Sequence, residues 1–97
     1  MSEWPFPISA VGSMLDFEHL DQLAPGVRGY AVVVDGCAYI PLIEAQHPGS
    51  GDVGRFLDSL PSGVKVPNIT SSRLRGMLKR RHFIETEEEG VDVWIKP

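Results

Sequence analysis

Two apolar runs rich in β-branched residues and tyrosine make up the stretch RGYAVVVDGCAYIPLIEA, residues 28–45. Such runs are typical of β-strands, and Asp35-Gly36 between them is the signal of a tight turn in which both residues adopt positive φ. The pattern therefore predicts a β-hairpin. Because Pro41 cannot donate to a strand ladder, we expect its strand to lie at a sheet edge or to contain a bulge there.

Apolar residues at helical spacing occur in three other segments. They predict helices at about 16–24, ending at a Pro-Gly pair, at DVGRFLDSL (52–60), and at SRLRGMLKRRHF (72–83). Ser71 or Ser72 is the expected N-cap of the last helix. VKVPNIT reads as a short strand between the last two helices, and EEEG predicts the turn of a second hairpin that closes the chain.

The order helix, hairpin, helix, strand, helix, hairpin predicts an α/β fold of mixed type. We expect one compact mixed sheet flanked by about three helices. With 97 residues, the chain has room for a single domain, residues 1–97, with one modest core.

An extended arm, residues 1–8, is expected at the N-terminus because Pro5 and Pro7 forbid a helix there. Its aromatic residues Trp4 and Phe6 have two interpretations. They cover the chain's own core, or they bind a protein partner or a second copy of the chain.

The absence of certain sequence features limits where the protein is located and whether it binds a metal. The chain has no secretion-type leader and no apolar run that could cross a bilayer, so we expect a cytoplasmic protein or part of a larger assembly, without membrane contact. His19, His47 and His82 are far apart, and no cysteine or acid lies at a metal-ligand spacing from them. We therefore predict no metal site.

Charge is unevenly spread along the chain. Residues 1–52 hold seven acidic residues and one basic residue, while residues 53–97 hold eight basic and six acidic residues. The basic helix followed by a hairpin resembles a winged-helix nucleic-acid binder. Three consecutive glutamates at the wing tip would repel phosphate, so we expect no nucleic-acid partner.

The loop QHPGSG, residues 46–51, joins the second predicted strand to a predicted helix. A glycine-rich loop at a helix N-terminus exposes unpaired N–H groups beside the positive end of the helix dipole. The natural ligand of such a loop is an anion, typically phosphate. Asp52 opposes this interpretation, since an acid at the helix start can bind the same amides.

With these residues, the chain resembles the GNAT acetyltransferases, whose signature Q/RxxGxG/A lies between a strand and a helix and holds the pyrophosphate of acetyl-CoA. The resemblance extends over residues 30–97, because a strand, a helix ending in a GF-type pair and a terminal hairpin follow in the same order. It also implies a bulge in the strand before the loop, at the place of Pro41, which frees a backbone N–H for the thioester carbonyl.

The resemblance implies a site for acetyl-CoA. Its cofactor-binding residues would be Leu42, Gln46, Gly49, Ser50, Gly51 and Val53. Glu44 would be the nearest general base.

Several features depart from the family. Leu78 stands at the position of the tyrosine that protonates the leaving thiolate, and His82 replaces the glycine of the GF-type pair. Tyr39 or Tyr30 could act as the acid instead. The part that builds the acceptor pocket is shortened to some 29 residues.

The sequence therefore predicts a GNAT-like acyl-CoA-binding protein, an N-acetyltransferase with degenerate machinery if it is active. The alternative is a non-enzymatic assembly or interaction protein, for example of a phage, that reuses this scaffold.

Overall fold

A six-stranded mixed sheet carries two helices in the computed structural model, which describes residues 4–9, 20–67, 69 and 71–97. The elements are β1 (Asp21–Ala24), β2 (Val27–Val34), β3 (Cys37–Ala45), α1 (Asp52–Ser59), β4 (Lys65–Pro67), α2 (Ser72–Arg80), β5 (Ile84–Glu88) and β6 (Val91–Ile95). The strand order is β1-β2-β3-β4-β6-β5, in which β3 and β4 are parallel and every other neighbouring pair is antiparallel. The predicted α/β fold of mixed type is confirmed.

Both predicted hairpins are present, and each turns on two residues with positive φ. Asp35 and Gly36, with φ of 52° and 79°, join β2 to β3, and Glu89 and Gly90, with φ of 52° and 80°, join β5 to β6. Two positive φ values match the twist of the flanking strands, which explains why an acidic residue followed by glycine closes both hairpins.

The predicted helix at 16–24 is wrong over residues 21–24, which form β1. This strand pairs with β2 across a tight turn at Pro25-Gly26, where Gly26 has φ of 77°. The Pro-Gly pair that suggested a helix stop is thus a hairpin turn, and only Leu23 of the strand is fully buried. The remainder of that predicted helix lies outside the described residues. Two helices rather than about three are therefore seen in the described part of the chain.

A bulge interrupts β3 where proline predicted it. Tyr30 pairs with Leu42 and Val32 pairs with Tyr39, so one extra residue is inserted in β3 around Pro41. The bulge lies just before the strand's last residues, which lead into the glycine loop.

The core lies between the sheet and the two helices. Helix α1 contributes Phe56 and Leu57 to the core, and α2 contributes Leu78. The sheet contributes apolar residues such as Ile40 and Trp94. The helices form because their apolar residues recur on one face, and Ser71 caps α2 by accepting a hydrogen bond from the Leu74 N–H at 3.2 Å.

α2 ends at a residue in the left-handed conformation. The N–H of His82 donates to Lys79 O at 3.0 Å, and the N–H of Phe83 donates to Leu78 O at 3.1 Å, which is the Schellman pattern. His82 has φ of 61°, so the histidine holds the conformation that glycine usually supplies there.

We expect His82→Gly to raise the free energy of unfolding by about 1 kcal/mol, because a left-handed residue with a Cβ costs about 1–2 kcal/mol and glycine gives part of that back as chain entropy. The midpoint of thermal unfolding should rise by about 4–8 °C for a domain of this size. His82→Ala is the control, since it removes the imidazole but keeps the Cβ. Equal stability of the two variants would contradict the explanation.

Candidate functional site

An open cleft of about 360 Å³ lies beside the glycine loop. Its walls are residues 43–45 at the end of β3, residues 47–53 of the loop and of the start of α1, and Ser71, Arg73, Leu74 and Met77 at the start of α2. β3 and β4 share a single register pair, Tyr39 with Lys65. Since the two parallel strands are paired at only that point, the elements that follow them form opposite walls of the cleft.

The glycines give the loop its path. Gly49 and Gly51 have φ of 88° and 83°, a region that other residues rarely adopt. The N–H of Ser50 donates to His47 O at 3.1 Å and closes a turn, after which Gly51 serves as the N-cap of α1. The carbonyl of this glycine accepts the first helical bond, from the Arg55 N–H at 3.1 Å.

The first turn of α1 keeps amide groups available for a ligand. Gly51 has no side chain to cap the helix, and the Asp52 N–H makes only a long contact of 3.4 Å to Ser50 Oγ. For the N–H groups of Val53 and Gly54, no acceptor is found among the described residues. These groups lie at the positive end of the helix dipole, and Val53, though not the buried Gly54, is a lining residue, so the helix start offers hydrogen-bond donors to an anion in the cleft.

Asp52 does not use these amides. Its carboxylate accepts a hydrogen bond from Ser50 Oγ at 2.7 Å and pairs with the Arg55 guanidinium. Hydrogen bonds from the Ser50 hydroxyl and then from the Arg55 guanidinium hold the pKa of the Asp52 carboxyl below its usual range. The side chain lies against Gly26, where a Cβ would come within 2.0 Å of Asp52 Oδ2. The Asp52 carboxylate therefore binds Ser50 and Arg55 rather than the amides that an anion would use.

Four of the six predicted cofactor-binding residues line this cleft, namely Gly49, Ser50, Gly51 and Val53. Gln46 and Leu42 are not among the lining residues. Gln46 Oε1 accepts a hydrogen bond from Gln22 Nε2 at 2.6 Å, so its side chain is engaged with β1. Leu42 is half-buried in β3 opposite Tyr30.

The two predicted catalytic residues line different clefts. Glu44 is exposed in the wall of the glycine-loop cleft, whereas Tyr39 lines a second open cleft of about 530 Å³. The Tyr39 hydroxyl donates to Glu88 Oε1 at 3.0 Å and accepts from Lys65 Nζ at 3.4 Å. The other candidate acid, Tyr30, is 2 % exposed. No tyrosine or cysteine is among the described residues that line the first cleft.

Residues at the start of α2 were missed by the sequence reasoning. Leu74 and Met77 give the cleft an apolar wall, and Arg73 lines it as well. Ser71, the helix cap, also faces this space. Their spacing indicated a helix, but only the pairing of β3 with β4 brings that helix to the loop.

An ion pair joins Lys65 Nζ in β4 to Glu88 Oε2 in β5, at 2.6 Å, and so links β4 to the β5–β6 hairpin. The Lys65 ammonium and then the Tyr39 hydroxyl hold the pKa of Glu88 below its ordinary range. Hydrogen bonds to Glu88 and then to Tyr39 raise the pKa of Lys65. The pair therefore favours the charged form of both groups.

The sign of each shift defines a pH window. A lowered carboxyl pKa stabilises the fold above the pKa of the unfolded chain, and this contribution is lost as the pH falls through the folded-state pKa. A raised ammonium pKa stabilises the fold below the unfolded value, and this contribution is lost as the pH rises through the folded-state pKa. The contribution of the pair should be largest between about pH 5 and pH 10.

We expect Glu88→Gln to lower the free energy of unfolding at neutral pH. Near about pH 2 the variant and the wild type should be equally stable, because the side chain at position 88 is then uncharged in both. Urea unfolding across this range measures the effect. Glu85→Gln is the matched control, because Glu85 is exposed on the same strand, lies opposite Trp94 rather than another acid, and has no ion pair among the described residues. A deficit of Glu88→Gln that stays constant down to the acid end would contradict the ion-pair explanation.

The N-terminal arm packs on its own chain. Phe6 is 3 % exposed and meets Phe56 edge to face at 6.2 Å between ring centroids, and Trp4 stacks on Phe6 at 6.1 Å. Of the two roles predicted for these aromatic residues, covering the core is the one that these contacts favour.

The described residues show neither a metal-ligand cluster nor a membrane-spanning helix. There, no group of three or more histidine, cysteine, aspartate or glutamate side chains is arranged to hold a metal ion. In the same residues no helix has the length and apolar character needed to cross a membrane. His47 lines the cleft, His82 ends α2, and His19 lies outside the described part of the chain.

The resemblance to the GNAT acetyltransferases rests on residues 30–97 of the sequence. Comparison of the chain with models of protein families, with curated proteins and with solved structures finds no significant match.

Proposed function

We propose that this chain is a GNAT-like acyl-CoA-binding protein whose glycine loop holds the pyrophosphate. The observation that carries the proposal is the set of N–H groups at Val53 and Gly54, which have no acceptor among the described residues and begin a helix at the cleft. Two phosphates carry the charge and the oxygen acceptors that such a helix start binds best.

Two further features support the ligand class. The apolar side chains of Ile43, Val53, Leu74 and Met77 line the cleft next to the glycine loop, as a pantetheine and acyl chain would require. The bulge around Pro41 lies in the strand that leads to the loop, where the resemblance implies a backbone donor for the thioester.

If the protein transfers the acyl group, Glu44 is the base. Its carboxylate lines the cleft and would take a proton from an amine as the amine nitrogen attacks the thioester carbon. The C–S bond of a bound acyl-CoA would then break, with the CoA thiolate as the leaving group. The described lining offers no tyrosine or cysteine as the acid, so His47, which lines the cleft, or water would have to protonate that thiolate.

A non-enzymatic role on the same scaffold is the second candidate. Leu78, at the position of the family's acid, is fully buried in the core, and the Tyr39 hydroxyl is bound to Glu88 and Lys65. These contacts favour a protein that binds without catalysis.

We expect CoA and acetyl-CoA to raise the midpoint of thermal unfolding and Gly51→Asp to abolish the rise. A ligand at 100 times its Kd adds about 2.7 kcal/mol, and for a domain of this size each 1 kcal/mol corresponds to about 4–8 °C. The added carboxylate would compete with the pyrophosphate for the loop and repel it.

Gly63→Asp is the matched control for this experiment. Gly63 has φ of 89° against 83° for Gly51, so both variants introduce the same charge and a similar backbone strain. A Cβ at Gly63 meets nothing within 4 Å, and at Gly51 it meets only the Arg55 side chain, at 3.2 Å. Gly63 is not a lining residue of the cleft. A ligand shift that survives in Gly51→Asp, or that is lost equally in Gly63→Asp, would contradict the proposed site.

A further inference from the structure

Two surfaces of opposite charge flank the corner where α2 leads into β5. The basic helix face consists of Arg73, Arg75, Lys79 and Arg80. The acidic hairpin consists of Glu85, Glu87, Glu89 and Asp92. All eight residues are exposed, and none forms an ion pair with a described residue.

The acidic hairpin holds like charges in direct opposition. Glu87 and Asp92 are register partners across β5 and β6. Like charges directly opposite one another destabilise a strand pair, and in the described residues no cation offsets this one. Ile84 and Val91 on the same hairpin are 56 % and 39 % exposed. The register places these two apolar side chains on the opposite face of the hairpin from Glu85, Glu87 and Asp92, so the acidic face carries charge without exposed apolar residues beside it.

The middle of the basic helix face is Gly76, and a guanidinium nitrogen of Arg80 would lie 3.6 Å from a Cβ at that position. Arg73 and Arg80 lie two turns apart on one stripe, and Gly76 lies between them. The Arg75 guanidinium donates a hydrogen bond to the Ile69 carbonyl at 2.8 Å, so one of its donors already has an acceptor within the chain. The other three cations have no hydrogen-bond acceptor among the described side chains.

We propose that the chain forms a two-fold dimer in which the basic helix face of each copy docks on the acidic hairpin of the other. The two surfaces carry four charges each, and only Arg81, His82 and Phe83 separate the end of α2 from the start of β5. A two-fold axis near this corner therefore brings both complementary contacts into one interface.

A nucleic acid or a basic peptide would match the charge of only one of the two surfaces. A nucleic-acid duplex on the basic helix face would meet the acidic hairpin a few residues away, and phosphate would be repelled there. A basic peptide would match the hairpin and leave the helix unpaired. A second copy neutralises both surfaces at once.

Sedimentation velocity of the full chain at two salt concentrations tests the dimer. We expect a dimer at about 0.1 M NaCl and a dissociation constant at least about tenfold higher at 1 M, where the screening length falls from about 10 Å to about 3 Å. A dimer held by apolar contact would not weaken in this way. A monomer at the lower salt concentration would overturn the proposal.

Charge-reversal variants test the pairing itself. Lys79→Glu/Arg80→Glu and Glu85→Lys/Glu87→Lys should each be monomeric, because each variant opposes like charges in both halves of its own dimer. An equimolar mixture should restore a dimer of one copy of each variant, since both halves of that interface are attractive. Circular dichroism confirms that each variant is folded. Self-association of either variant alone, or a mixture that stays monomeric, would overturn the proposal.

Discussion

Gly29→Ala is expected to lower the free energy of unfolding by about 3–5 kcal/mol, among the largest effects that a single methyl group can have in this fold. A Cβ at Gly29 would lie 1.9 Å from the Leu42 carbonyl oxygen and 2.8 Å from its carbonyl carbon. Both atoms belong to the backbone of β3, so no side-chain rotation relieves the clash. The strands would have to separate beside the bulge and lose ladder hydrogen bonds.

Gly76→Ala is the matched control for this prediction. The same substitution in the middle of α2 places the Cβ 3.6 Å from an Arg80 nitrogen, which is an ordinary contact. Since alanine is favoured over glycine in a helix by about 1 kcal/mol, this variant should be more stable than the wild type. Urea unfolding measures both. A change below 1 kcal/mol for Gly29→Ala would contradict the close approach of β2 and β3.

Phe6→Ala is expected to lower the free energy of unfolding by about 3–5 kcal/mol, the usual range for removing a buried aromatic side chain. Phe6 is 3 % exposed and contacts the Phe56 ring edge to face. Its loss leaves a cavity between the arm and α1 and removes the surface on which Trp4 stacks. The prediction follows from the arm being part of the core.

Trp4→Ala provides the comparison within the arm. Trp4 is half-buried, so the variant should lose about half as much stability as Phe6→Ala. Chemical denaturation of dilute protein measures the two variants without a contribution from association. If Phe6→Ala unfolds at the same denaturant concentration as the wild type, the arm does not belong to the core, and its alternative role in binding a partner gains support.

Local turn chemistry explains which parts of the fold could be predicted from the sequence. Asp35-Gly36 and Glu89-Gly90 specify their hairpins within a few residues, and Pro41 indicates the bulge because it cannot donate to a ladder. The same kind of reasoning failed at Pro25-Gly26, because that pair ends a helix as readily as it turns a hairpin. Only the pairing of Asp21–Ala24 with β2, a tertiary interaction, decides between the two.

Some residues of the cleft could likewise be predicted from the sequence, and others could not. Gly49 and Gly51 could be assigned to it because their backbone conformation and the helix that follows are local properties. Met77 could not, since it reaches the cleft only through the sheet order that sets α2 beside the glycine loop. The sequence predicts Tyr39 and Glu44 on the same strand, but the Tyr39 hydroxyl donates to Glu88 and lines another cleft.

The amide groups at the start of α1 give the most direct test of the proposed function. In a proton–nitrogen correlation spectrum of the labelled chain, titration with CoA should shift the amide protons of Val53 and Gly54 downfield as they gain phosphate acceptors. The shifts should saturate, and the amides of Ile84–Glu88 should stay unchanged. If the Val53 and Gly54 signals do not move at millimolar CoA, the glycine loop does not bind the pyrophosphate and the proposed function is wrong.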